Sequence, residues 1–222
     1  MSQPTGVEAT PRRKEGGRSP RAFELSGGAL CLDFVNTVDK RPTPERQELL
    51  TAYADVVAWA LQAGALTARQ ASALGSEASR RPDEARAILD RARAVRETLF
   101  EILSAAAAGR RLPERELERL NPAIAASFER LRLSSGPGPV GRWAWVEDPA
   151  ALDRMLWPVI RSATELLTSP GPSRVRKCAS ETCDWLFIDH SKNRSRRWCD
   201  MTVCGNRDKV RRHRERRRRR RR

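Results

Sequence analysis

Two cysteine pairs near the carboxyl end constrain this chain more than any other feature. They read Cys178-x4-Cys183 and, fifteen residues later, Cys199-x4-Cys204. The segment that carries them has little apolar content: Trp185, Leu186, Phe187, Ile188, Trp198, Met201 and Val203. A unit of that size with so small a core rarely folds without a cross-link or a metal. Two short thiolate pairs separated by a loop supply the four tetrahedral ligands that Zn(II) prefers. The spacing therefore predicts one structural zinc ion held by Cys178, Cys183, Cys199 and Cys204. Two disulfides are the plain alternative, and a shell in which His190 or Asp189 replaces one cysteine is another. The first twenty residues have no export-signal pattern, and paired cysteines of cytosolic chains bind metal more often than they oxidise. A cytoplasmic, nucleoid-associated location follows as the expectation. No run of eighteen apolar residues is present, so no membrane partner is expected.

Four cysteine ligands leave no open coordination position, which argues against a catalytic zinc. No HExxH, paired-carboxylate or Gly-rich phosphate motif occurs, and no catalytic residue is assigned. The chain is expected not to be an enzyme. The polar residues Asp33, Asn36, Thr37 and Asp39, set in an apolar run, read as loop caps. Cys31, between Leu30 and Leu32, reads as a small buried hydrophobe.

Charge separates the two ends of the chain. The net charge is +15 over 222 residues. Residues 174–222 hold 19 Lys and Arg against 6 Asp and Glu, so the other 173 residues are nearly neutral. Such asymmetry marks a footprint for phosphate rather than general solubility. Basic residues lie inside the segment that the metal must order. Arg194, Arg196 and Arg197 sit between the cysteine pairs, and Arg207, Lys209, Arg211 and Arg212 follow the last cysteine. These seven are the candidate nucleic-acid contacts. A helix starting near Cys204 would place Arg207, Arg211 and Arg214 on one face, with Asn206 fixing its first turn. Trp185 and Trp198 are expected to pack over the metal site, base stacking being the alternative. Double-stranded DNA is the expected partner; RNA, a ribosomal site or an acidic protein are the rival partners.

The rest of the chain reads as mainly α with a small β-hairpin. Residues 1–20 form a Pro/Gly-rich basic arm with the composition of a disordered segment. Residues 22–169 form the first domain. Ala29–Val35 is apolar but for Asp33 and fits a short helix or a buried strand. Thr43-Pro44 reads as the start of a helix that Gly64 stops. Thr67-Ala68-Arg69-Gln70 is a capping box. Pro82 opens a long helix ended by Gly109, and Pro113 opens another that reaches Ala126. Arg130–Leu133 and Arg142–Val146 read as two strands around a Pro/Gly turn. Asp148-Pro149 reads as the cap of a final helix, broken by the 169–173 stretch. The second unit is 174–215, followed by the arginine run 216–222.

Three stretches together resemble a known family: Cys178-x4-Cys183-x-Trp185-Leu186-Phe187, Asn193-Arg194-Ser195-Arg196-Arg197-Trp198-Cys199, and Cys204-Gly205-Asn206-Arg207. They are similar to the CGNR zinc finger. Leu30-Cys31-Leu32-Asp33-Phe34-Val35-Asn36-Thr37, Trp157-Pro158-Val159-Ile160-Arg161-Ser162-Ala163 and Leu166-Leu167-Thr168-Ser169-Pro170 resemble the ABATE domain that precedes this finger in the family. The resemblance covers residues 22–214 and holds at all four metal positions. It implies a bacterial stress-induced transcription regulator, whose finger binds DNA and whose ABATE domain senses an unidentified small-molecule effector.

Overall fold

The apolar run after Gly28 folds as a six-residue helix, α1 (Leu30–Val35), with Cys31, Leu32, Phe34 and Val35 buried. The computed structural model describes residues 22–219. The amino-terminal arm expected over 1–20 and the last three arginines lie outside the described residues. After α1 the chain makes a minimal antiparallel hairpin, β1 (Val38–Asp39) with β2 (Gln47–Glu48). Thr43 belongs to the turn of that hairpin, not to a helix cap: its hydroxyl donates to the Lys40 carbonyl, 3.1 Å. The helix α2 (Tyr53–Gln62) begins later, because the Asp55 carboxylate accepts the backbone N–H of Thr51 at 2.7 Å and of Ala52 at 2.9 Å. A carboxylate that satisfies the orphan donors of a first turn fixes where a helix starts.

The Thr67 capping box forms as read and opens α3 (Ala68–Arg80). Pro82 occupies the first position of α4 (Pro82–Ala107), the 26-residue spine of the molecule. Gly109, at φ 64°, stops it, a conformation that costs glycine nothing. Then come α5 (Glu114–Phe128) and the hairpin β3 (Leu131–Ser135) with β4 (Gly141–Trp145). The last body helix, α6 (Leu156–Leu167), starts seven residues beyond Pro149. Asp148 caps only a local turn, accepting the Ala150 N–H at 3.1 Å. Pro158 accounts for the delay. It has no N–H to donate, so it fits the first turn of a helix but would break one begun at Pro149.

Helices α1 to α6 surround one core that contains Phe34, Trp59, Leu74, Leu99, Ile102, Leu103, Leu120 and Ile160. The core also encloses a guanidinium. Arg96 on α4 is 1% exposed. It donates both terminal nitrogens to the Glu48 carboxylate at 2.6 Å, and a further bond of 3.2 Å to the Thr37 hydroxyl. The fork satisfies the guanidinium and ties the α1–β2 stretch to the spine.

Beyond the 169–173 break the chain returns to the body. A third antiparallel hairpin, β5 (Val175–Lys177) with β6 (Leu186–Ile188), encloses the first cysteine pair. A π-turn (Met201–Gly205) runs directly into the helix α7 (Asn206–Arg219). The fold is thus mainly α with small antiparallel hairpins, followed by a cysteine cluster and a basic helix.

Candidate metal centre and the basic helix it anchors

The sulfur atoms of Cys178, Cys183, Cys199 and Cys204 all lie within 4.8 Å of one another, and all four residues are buried. Cys183 and Cys199 sulfurs stand 3.6 Å apart, and Cys199 and Cys204 3.7 Å. A tetrahedron with Zn–S bonds of about 2.3 Å has an edge of roughly 3.8 Å. A disulfide needs about 2.05 Å, and none of the five cysteines is bonded. The distances fit a shared ion and rule out the paired-disulfide reading. Four soft donors with no fifth group among them suit one structural Zn(II).

The substituted shells fail on geometry as well. Asp189 is fully buried, but its carboxylate is committed to the backbone N–H groups of Ser191 at 2.8 Å and Arg196 at 3.0 Å. His190 lies outside the cluster, against Gly28. The sulfurs share protons unevenly. Hydrogen bonds from Cys183, Cys199 and Cys204 hold the Cys178 thiol far below its ordinary value. Hydrogen bonding to Cys178, then to Cys199 and Cys204, pushes Cys183 far above it. A divalent cation at the centre removes that conflict, because every sulfur can then be a thiolate.

Each ligand is positioned by backbone bonds. The Cys178 N–H donates to the Trp185 carbonyl at 2.8 Å, and the Ala179 N–H to the Arg197 carbonyl at 2.8 Å, which joins the two halves of the cage. Asp200 caps the π-turn, accepting from Thr202 N–H at 2.6 Å and Val203 N–H at 2.9 Å. Trp185 and Phe187 pack with the four cysteines, and Trp198 covers the cluster from a half-buried position. The tryptophans are therefore in the packing role expected of them.

Strand β6 faces two ways. Phe187 enters the cysteine cluster, while its neighbour Leu186 joins the body core together with Val175. Alternation along a strand makes this possible. Asn36 completes the join. Its side-chain amide donates to the Leu186 carbonyl at 2.9 Å and its oxygen accepts the Leu186 N–H at 2.9 Å. Asn36 thus acts as an extra strand partner for β6. The Trp185 indole donates to the Val38 carbonyl at 2.8 Å, and Ile188 N–H to the Gly27 carbonyl at 2.8 Å. Gly28, at φ 82°, lies against Ile188 and His190. Of the polar residues that read as loop caps, Asn36 is instead part of the seam between cage and body, whereas the Thr37 hydroxyl donates to the Phe34 carbonyl at 2.7 Å and the Asp39 carboxylate accepts the Lys40 N–H at 2.8 Å, as local caps do. The signal available was Asn36 itself, an amide at the end of an apolar run, but its partner lies 150 residues away.

The seven basic candidates occupy three different settings. Arg196 braces the cage: its guanidinium lies 4.4 Å from the Phe187 ring centroid and donates to the Trp198 carbonyl at 3.0 Å and to the Cys199 carbonyl. Arg197 lies over Trp198, and Arg194 takes the left-handed conformation at φ 49° in the loop between the pairs. On α7, Arg211 and Arg212 both pair with Asp208 at 2.8 Å, and Arg211 also reaches Glu181 and Glu215. Arg207 donates to the Thr182 hydroxyl at 2.9 Å. Lys209, Arg214 and Arg217 make no ion pair among the described residues, and all three are exposed. Arg207, Arg211 and Arg214 line one groove along α7, as the spacing predicts. Asn206 donates its side-chain amide to the Thr202 carbonyl at 2.8 Å, tying the start of α7 to the turn that carries Cys204.

No helix among the described residues is long and apolar enough to cross a membrane. Cys31 is fully buried, and burial pushes its thiol up to about 11, consistent with packing rather than reactivity. A family model for the CGNR zinc finger matches residues 174–217. No curated protein matches the chain. A family model for ABATE, described as "Putative stress-induced transcription regulator", matches residues 28–170. With more than half of its length in that match and the four-cysteine cage in the other, the chain belongs to the ABATE family and ends in a CGNR zinc finger.

Proposed function

We propose that this protein is a transcription regulator that grips duplex DNA through its zinc module, and that it is a binding protein rather than an enzyme. The observation that carries the reading is the metal-anchored helix. Cys204 sits in the π-turn that leads straight into α7, so the cage fixes the direction of a helix about 21 Å long. From Arg207 to Arg219 that helix carries eight arginines and one lysine. A rigid basic rod of this size suits the major groove of B-form DNA, which is about 12 Å wide. The family description supports regulation as the purpose. In this reading the ABATE body takes an input, an unidentified effector, and passes it through the Asn36 seam to the module. A cytoplasmic, nucleoid-associated location belongs to the same reading.

Binding of the zinc-loaded full chain to a labelled duplex, measured by anisotropy from about 50 to 200 mM salt, tests this. Contacts to six or more phosphates weaken affinity by about a thousandfold or more over that range. Lys209→Ala reduces the logarithmic salt slope by about one phosphate's worth. A flat salt response overturns the reading. Equal or stronger competition by duplex RNA transfers it to the RNA alternative, since the deep, narrow groove of A-form RNA excludes a helix.

A further inference from the structure

The helix α7 has two unlike faces: one is held by ion pairs, and the other is tied down only where Arg207 donates to the Thr182 hydroxyl. Asp208, Arg211, Arg212 and Glu215 form one face. Asp208 is 8% exposed and pairs with both arginines, and Arg211 also pairs with Glu181 of the cage. An adjoining side carries Val203, Arg207, Val210, Arg214 and Arg217, with Arg211 and Glu215 at its border in the same groove. The spacing of the first five, at four, three, four and three residues, is one stripe on a helix. The stripe is continuous. Val203 and Arg207 line one small cleft beside the zinc cage, and Arg207, Val210, Arg214 and Arg217 line the next groove.

Val210 is the only apolar residue from Asn206 to Arg219. It is 51% exposed, so it contributes no core packing, and as a β-branched residue it is a poor choice for an exposed helix. Its neighbours on the stripe are arginines. Phosphate binding alone would be served as well by a lysine or a glutamine at that position. An apolar side chain framed by guanidinium forks is the pattern that reads base edges. Arginine pairs bidentately with guanine O6 and N7, and small apolar groups meet the C5 methyl of thymine.

We infer that the Val203–Arg207–Val210–Arg214–Arg217 stripe is a sequence-reading face, with Val210 the contact that selects thymine in the major groove of DNA. This rests on the duplex-DNA reading and adds what that duplex must contain. Arg207 and Arg214 stand about 4.5 and 6 Å along the axis from Val210. The site is then a thymine with a guanine within about two base pairs on each side, since stacked pairs rise about 3.4 Å. The braced face meets the backbone or solvent and carries no base selectivity.

In vitro selection of duplexes with the zinc-loaded full chain, followed by replacement of each selected thymidine with deoxyuridine, tests the assignment. Deoxyuridine removes only the C5 methyl. One such replacement is expected to weaken binding about fivefold, the scale of a single apolar base contact. Val210→Ala, which leaves the buried cage and the ion pairs untouched, is expected to weaken binding to the thymidine duplex by a similar factor. It is then indifferent to the methyl and keeps the wild-type salt slope. Zinc content and circular dichroism check that this variant is folded. Salt-dependent binding with no effect of deoxyuridine at any position overturns the thymine contact and leaves the DNA reading standing. Retention of methyl discrimination by Val210→Ala does the same. Failure to retain any duplex overturns both.

Discussion

The ABATE body and the zinc module solve the problem of order by opposite means. The body buries a continuous set of apolar side chains from six helices around Leu99, Ile102 and Leu103. The module's own cluster has, among the described residues and beyond its four cysteines, only Trp185 and Phe187 buried. Burial at about 25 cal/mol per Å² cannot order so small a cluster against its chain entropy. The module therefore draws its order from two outside sources: the metal, and the backbone of residues 27–38. The difference teaches that the basic helix is oriented by the body as well as by zinc. The body thus has a direct mechanical route to the basic helix, through one amide, one indole and one strand.

The comparison breaks first at the metal. Chelation of zinc, or Cys183→Ser, removes the module's main support, worth about 5 kcal/mol or more. Because Val175 and Leu186 belong to the body core, the loss spreads. The whole chain is expected to melt in one transition, lowered by more than about 10 °C. Calorimetry that returns an unchanged body transition, with only the tryptophan emission of the module altered, separates the two units and removes the coupling.

A lesson about legibility follows from the same seam. The cage was readable because metal geometry restricts cysteine spacing, and the sulfur distances then decide against the disulfide alternative. The Thr67 box, the Pro82 start and the Gly109 stop were readable because caps are local chemistry. Thr43-Pro44 has the same local signature, yet its turn belongs to a hairpin; Asp55, twelve residues on, decides where the helix begins. The Pro149 start failed against Pro158, nine residues on. The role of Asn36 was out of reach, since the N–H and carbonyl it satisfies belong to Leu186 and no local pattern joins them. The division of α7 into a braced and an unpaired face was also hidden. Asp208 and Glu181 choose Arg211 and Arg212 from a run in which every arginine looks equivalent.

The next lesion lies inside the body. Arg96→Ala leaves Glu48 without its fork and the Thr37 hydroxyl without its donor, at a cost of about 3 kcal/mol or more. Arg96 braces the stretch that presents Asn36 and Val38 to the module. Zinc affinity, measured by competition with a chromogenic chelator, should therefore fall along with the melting temperature. Unchanged affinity would confine Arg96 to the body. Asn36→Ala acts at the seam itself. It strands the buried N–H and carbonyl of Leu186, about 2–3 kcal/mol for the pair. Its mark is a larger proportional loss of zinc affinity than of body stability, with slower amide exchange lost first at Leu186. Equal losses in both would mean that the seam is an ordinary part of one core.

Asp33 sharpens the comparison from the other side, as a place where the body tolerates a charge to shape the approach to the seam. Its carboxylate accepts the Gly27 N–H at 2.8 Å, and Gly27 in turn accepts the Ile188 N–H. Burial raises its pKa to about 6, partly offset by the Gly27 bond. The unfolded value lies near 3.8, so between those limits the folded chain binds the extra proton. The contribution of Asp33 to stability is then greatest below about pH 4 and declines as pH rises to 6, after which the cost of the buried charge is constant. Asp33→Asn keeps an oxygen for Gly27 and removes the charge. It is expected to stabilise the protein by about 1 kcal/mol at pH 7.5 after discounting for partial exposure, with the gain gone at pH 4. Urea unfolding at the two pH values measures the difference. A variant that is less stable at both would mean that the carboxylate holds Gly27, and through it Ile188, more tightly than burial penalises it, and that the charge belongs to the seam.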